Sequence, residues 1–173
     1  LVMGLYALFA VFFGTRIAAL GWIGAALSLA TVITTAMIYT QIKAVPRWHQ
    51  ALTPLHLTTA SLAGGALLAG QITLAQIFLF LGGIIQIAHW LRGDGRFAQA
   101  GQSIASATGL SEAGRIRAFE APHTGTNYLL REMVHVVGRK HAQRLRIIAL
   151  GLGFVLPLTL ILIPGASHGL GGL

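Results

Sequence analysis

The sequence predicts an all-α, polytopic helical bundle embedded in a membrane. Hydrophobic residues make up 55% of the 173-residue chain and charged residues 9%, with a mean hydropathy of +0.75. A soluble domain carries roughly 25% charged residues to solvate its surface. An apolar surface this extensive is stable only in lipid. The apolar residues also come in runs long enough to cross a hydrocarbon layer of about 30 Å, and the charges collect in the segments between them.

Taken in order, the first apolar run ends at Phe13, and Gly14-Thr15-Arg16 forms a short break. The run begins at Leu1 with no basic segment before it, so it reads as the second half of a spanning helix. The sequence is therefore expected to be a piece of a longer protein, and its first span to be truncated. A second span covers Ile17 to Ile38, 22 residues without a charge. Pro46 and Pro54 then stop helix continuation through the connector from Tyr39 to His49. A third, shorter span runs from Leu55 to Gly70, with Gln71-Ile72-Thr73 as a tight turn. The fourth spans Leu74 to Leu91 and is expected to end sharply at Arg92-Gly93-Asp94-Gly95-Arg96. The fifth visible span runs from Leu145 to Ile163, with Pro157 inside it and Pro164 ending it. A proline within a span is tolerated where the freed carbonyl finds another partner. The small residues Ala60, Ser61, Gly64, Gly65, Gly82 and Gly83 predict close helix-on-helix packing.

Residues 92–144 form the polar region, 1–91 and 145–163 the spans, and 164–173 a tail. Arg92 to Arg146 hold nine of the twelve Lys/Arg and all four acids. Within this region Asn127 to Arg144 places Leu130, Met133, Val134 and Val137 on one face and Arg131, His135 and Arg139 on the other. That i, i+3, i+4, i+7 pattern predicts an amphipathic helix, lying either on the membrane surface or against a partner subunit. Counting alternate sides puts eleven of the twelve Lys/Arg on one side of the membrane. By the positive-inside rule that side is cytoplasmic.

The composition excludes several chemistries. With no cysteine there is no disulfide, no thiolate-held cluster and no cysteine nucleophile in this chain. All four acids lie outside the spans, which disfavours an ion pump. The +8 net charge follows the loops and suits anionic lipid rather than nucleic acid. His56 begins the third span and His89 ends the fourth, so antiparallel neighbours place both imidazoles at one depth. Three readings remain open for them: haem ligation, a place beside a quinone, or polar residues reaching interfacial water. Tyr39, Lys43, Arg47, Trp48, His49 and Arg92 gather at the same interface, either as membrane anchors or as the rim of a quinone pocket. His123, His135 and His141 read as surface residues.

The stretches Thr35-Ala36-Met37-Ile38-Tyr39, Val45-Pro46-Arg47-Trp48-His49 and Leu52-Thr53-Pro54-Leu55 resemble the membrane anchor subunits of dimethyl sulfoxide reductase and related complexes. Gly114 to Leu130 and Arg139-Lys140-His141-Ala142 look like the branch of that family found with cytoplasmic sulfite dehydrogenases. The resemblance covers about Ile17 to Pro157. It implies a haem-free anchor of about eight helices in a bacterial inner membrane, binding menaquinone or ubiquinone. Its partners would be an iron–sulfur electron-transfer subunit and a catalytic subunit holding molybdopterin. Electrons from a substrate oxidised inside the cell, sulfite by resemblance, would pass to quinone. The family's best-marked quinol-linked histidine, in a His-Leu-Gly-x-Pro-type motif, has no counterpart in this sequence. Tyr39, Lys43, Arg47, Trp48, His49, His56, His89 and Arg92 are the expected quinone-proximal residues. Arg115, Arg117, Glu120, His123, Asn127, Tyr128 and Arg131 are the expected docking residues for the partner. A haem-b subunit using His56 and His89, and a non-redox transporter fragment, are the alternatives.

Overall fold

A computed structural model describes residues 1–101, 103–110, 114, 116–117, 119, 125 and 127–163. Among them every regular element is helical: α1 (Val2–Phe12), α2 (Ala18–Gln41), α3 (Leu52–Leu68), α4 (Ile72–Ala100), α5 (Ile104–Thr108), α6 (Leu129–Gly138) and α7 (Ala142–Leu162). The five spans read from the sequence correspond to α1, α2, α3, α4 and α7. Three of these helices, α2, α4 and α7, are long and apolar enough to cross a membrane. α1 has 11 residues and α3 has 17.

From α1 to α4, consecutive helices pack as antiparallel neighbours. α1 lies on α2, where Met3 meets Gly24 and Tyr6 meets Gly21. α3 lies between α2 and α4, and α7 returns against α4. The tightest junction is the α3–α4 hairpin. Gly70 takes a left-handed φ of 65°, which favours glycine, and the Gln71 N–H donates to Ala66 O at 2.9 Å. The adjoining core is Ala63, Ala66, Ala75, Leu79 and Ile161. Its small side chains let helix backbones approach. At Gly82 an added Cβ would sit 2.7 Å from Phe154 Cε1 and 3.6 Å from Thr59 Cγ2, so this glycine lets α7 close on α4 and α3. Gly64 and Gly65, expected to serve the same purpose, face open space. Burial falls instead on Ala63 and Ala66, one position away on either side.

Two features differ from the sequence expectation. First, α4 does not end at Leu91. It continues through Arg92–Arg96 to Ala100 and stops at Gly101, whose φ is 58°. Composition alone reads Gly-Asp-Gly as a turn. In the structure tertiary contacts hold it helical: Gly93 abuts Arg47 and Gln50 of the preceding loop, and Asp94 is bridged by two arginines. At 29 residues and about 1.5 Å each, α4 is longer than the ~30 Å of hydrocarbon it would cross.

Second, the amphipathic helix is present but wound wider than an α-helix. Across Leu129–Gly138 the bonding is of π type, and the Arg139 N–H donates to Val134 O. This winding spreads a stripe read at 3.6 residues per turn. Leu129, Met133, Val134, Val136 and Val137 all remain exposed. A second π turn, Gly151–Val155, falls immediately before Pro157 in α7. Local rewinding of this kind absorbs the hydrogen bond that proline cannot donate.

Candidate functional site

The end of the bundle where α2 stops, α3 starts and α4 emerges holds nearly all the polar contacts between helices. The connector 42–51 builds it. Its chain folds back under Pro46, which is buried. Gln50, 5% exposed, donates through Nε2 to Arg47 O at 2.7 Å and to His89 O at 3.4 Å. Arg96 Nε donates to Pro46 O at 3.2 Å. Gly93 makes the approach possible, since a Cβ there would stand 3.1 Å from Arg47 Cγ.

Asp94 joins three segments. Arg47 Nη2 donates to Oδ1 at 2.5 Å, while Arg146 grips both carboxylate oxygens, Nη1 to Oδ2 at 2.8 Å and Nη2 to Oδ1 at 2.7 Å. That two-point fork fixes direction as well as distance. The Arg146 guanidinium also lies 5.4 Å from the Trp90 ring centroid, within cation–π range. The start of α7 is thereby held to α4 and to the connector.

His56 and His89 meet, as the hairpin geometry requires. Their ring centroids are 5.6 Å apart with 28° between planes. Thr53 orients one of them. Its hydroxyl donates to Trp48 O at 2.7 Å, so its oxygen is left to accept from His89 Nε2–H at 3.2 Å. The His89 proton therefore sits on Nε2, and Nδ1 is a bare acceptor. Nδ1 of His89 and Nδ1 of His56 are both buried without a hydrogen-bond partner. A buried polar atom left unpaired costs about 1–3 kcal/mol, so two in one place mark a position built for something else.

The two rings open onto a cavity of about 210 Å³, lined by Tyr39, Trp48, Thr53, His56, Leu57 and His89. Tyr39 and Trp48 meet edge to face at 5.4 Å and form its aromatic wall. Of the eight expected quinone-proximal residues, the fold thus gathers Tyr39, Trp48, His56 and His89 around one space. It sends the others elsewhere. Arg47 is taken by Asp94. Lys43 and His49 line a separate cavity of about 410 Å³, because His49 Nδ1–H donates back to Thr40 O at 2.7 Å. Arg92 is exposed. Sequence reasoning missed Thr53, Gln50 and Leu57. Thr53 stands one helical turn before His56, a spacing that places it on the same face. Among the described residues, no group of three His, Asp or Glu could hold a metal ion.

Of the expected docking residues, Arg117, Tyr128 and Arg131 are exposed. Asn127 is also exposed, and its Oδ1 accepts from the Leu130 N–H at 2.9 Å, capping α6. Arg115, Glu120 and His123 lie outside the described residues.

Three helices long and apolar enough to cross a membrane, packed through small residues and holding a histidine-lined cavity at one end, define an all-helical protein of membrane type. The chain is 29% identical over 155 residues to the sulfite dehydrogenase C subunit of Allochromatium vinosum. The match covers 82% of this chain and 47% of that protein, so the chain spans about half the length of its curated relative. No protein-family model matches the sequence. No solved structure matches it either.

Proposed function

We propose that this chain is the membrane anchor and quinone-reactive part of a sulfite-oxidising complex, set in a bacterial inner membrane. The likeness to the sulfite dehydrogenase protein supports the assembly. The observation that carries the quinone site is the stacked His56–His89 pair on the wall of an apolar-lined cavity, with both Nδ1 atoms unpartnered. A ligand site needs an apolar slot with a few placed polar groups, and this cavity has both.

The residues fit a quinone ring. His56, carrying its proton at Nδ1, donates to a carbonyl oxygen. His89, with its proton held on Nε2 by Thr53, accepts the proton of a hydroxyl at Nδ1. Tyr39 and Trp48 flank the ring and keep water out. When bound, quinone supplies a reversible two-electron, two-proton exchange. A menaquinone or ubiquinone serves this geometry equally.

Haem fits less well. An iron ligated by both histidines would have to stand between two rings whose centroids are only 5.6 Å apart. In this reading the partners are an iron–sulfur subunit and a molybdopterin-bearing catalytic subunit. Arg117, Tyr128 and Arg131 face them, and the basic end of the bundle is cytoplasmic.

The test uses the intact complex in its membrane. His56→Leu and His89→Leu are expected to lower sulfite-driven quinone reduction about 100-fold, the scale of a lost positioned proton donor or acceptor. Sulfite oxidation with a soluble artificial acceptor should be unchanged. Quinone reduction at the wild-type rate in both variants would refute the site.

A further inference from the structure

We propose that the second cavity at this end of the bundle binds the phosphate of an anionic membrane lipid. It measures about 410 Å³ and is lined by Lys43, Pro46, His49, Arg96, Gln99 and Ala100. Two of its polar side chains, Lys43 and Arg96, are cations, while His49 and Gln99 can also accept a hydrogen bond. Among the described residues Lys43 forms no ion pair and no hydrogen bond. Arg96 spends only Nε on Pro46 O, at 3.2 Å, which leaves both Nη groups to donate elsewhere. His49 spends Nδ1–H on Thr40 O, and Nε2 makes no bond among the described residues. The Gln99 side chain stands on the next turn of α4 after Arg96.

Charge bookkeeping favours an anion. Asp94 is the one acid of α4, and its carboxylate is already held by Arg47 and Arg146. It does not neutralise the cavity. The last carbonyls of α4 oppose an anion, but they amount to about half a negative charge against two full cations. The Arg96 and Lys43 donors suit a phosphate, the one with a planar fork and the other as a point charge.

Position then selects the phosphate's carrier. The cavity sits where apolar α2 and α4 give way to polar chain, the depth of lipid headgroups when these helices cross a bilayer. This step rests on the membrane reading above. It is independent of the histidine cavity, which shares no lining residue with it.

The intact complex, stripped of lipid in detergent, is offered equal amounts of phosphatidylglycerol and phosphatidylcholine. Retained lipid is then counted by native mass spectrometry. The wild-type complex should retain phosphatidylglycerol preferentially. Lys43→Gln, which breaks no hydrogen bond of the fold, should lower that retention about fivefold without changing phosphatidylcholine. Lys43→Arg should restore it, and Arg16→Gln, at the opposite end, should leave it unaltered. Equal retention of both lipids by the wild type would overturn the proposal alone. So would unchanged retention in Lys43→Gln. Displacement of all phosphatidylglycerol by inorganic phosphate would assign the cavity to a free anion and overturn the lipid assignment. A complex that retains neither lipid and stays dispersed without detergent would overturn the proposal and the membrane reading together.

Discussion

The two ends of the α3–α4 hairpin are built from the same two helices by opposite means. At the turn end, contact is made by Ala63, Ala66, Ala75 and Leu79. At the connector end it is made by Gln50, Thr53, His89, Arg47 and Asp94, through hydrogen bonds and ion pairs. In lipid, apolar surface has nothing to gain by leaving the solvent, so packing of small residues must hold one end. The polar end can vary in chemistry because the turn end fixes the register.

Three substitutions would break or sharpen that contrast, beginning with the largest effect. Gly82→Leu places a branched side chain where even a Cβ would press on Phe154 at 2.7 Å. It should cost about 1–3 kcal/mol by overpacking, read as a lower melting temperature of the complex in detergent. The KM for quinone at the proposed site should stay near wild type, because Gly82 stands seven residues, about 10 Å, along α4 from His89. A rise in KM of about tenfold would mean that packing at Gly82 and the histidine cavity are coupled.

Asp94→Asn removes the charge that Arg47 and Arg146 share. The side chain is 41% exposed, so solvent screening keeps the expected loss near 1 kcal/mol. The effect should shrink in high salt, whereas that of Gly82→Leu should not. Salt-independent destabilisation by Asp94→Asn would show that the contact acts by shape and not by charge.

Gly64→Ala is the smallest. Open space surrounds this helical glycine, so alanine should stabilise by about 0.5 kcal/mol through reduced backbone freedom. A loss of stability would place an unseen neighbour on that face.

Much of this architecture is legible in the sequence, and the exceptions share a cause. Hydropathy locates α2, α3 and α7 to within about a turn, because long apolar runs leave one choice of state. The His56–His89 pairing follows from antiparallel neighbours joined by a tight turn. The end of α4 does not follow. Gly93-Asp94-Gly95 is helical only because Arg47, Gln50 and Arg146 reach it from segments distant in sequence. The interfacial cluster reads as one group along the chain. It divides in two because His49 turns back to Thr40, a bond that residue types alone do not announce. Thr53 is within reach, one turn before His56, but its role depends on the Trp48 carbonyl that accepts its proton. The π winding of α6 has no marker in its composition.

The unbroken course of α4 beyond the bundle sets a rule of angular phase. A helix turns about 100° per residue, so the outer turns at Arg96–Ala100 keep a fixed bearing relative to His89. One residue inserted near Gly95 would swing the outer face about a quarter-turn away from its present direction. Seven would return it to within about 20° while carrying it about 10 Å outward. An insertion of seven keeps the bearing but lifts Arg96 off Pro46 O, so this stalk is fixed in length as well as in phase.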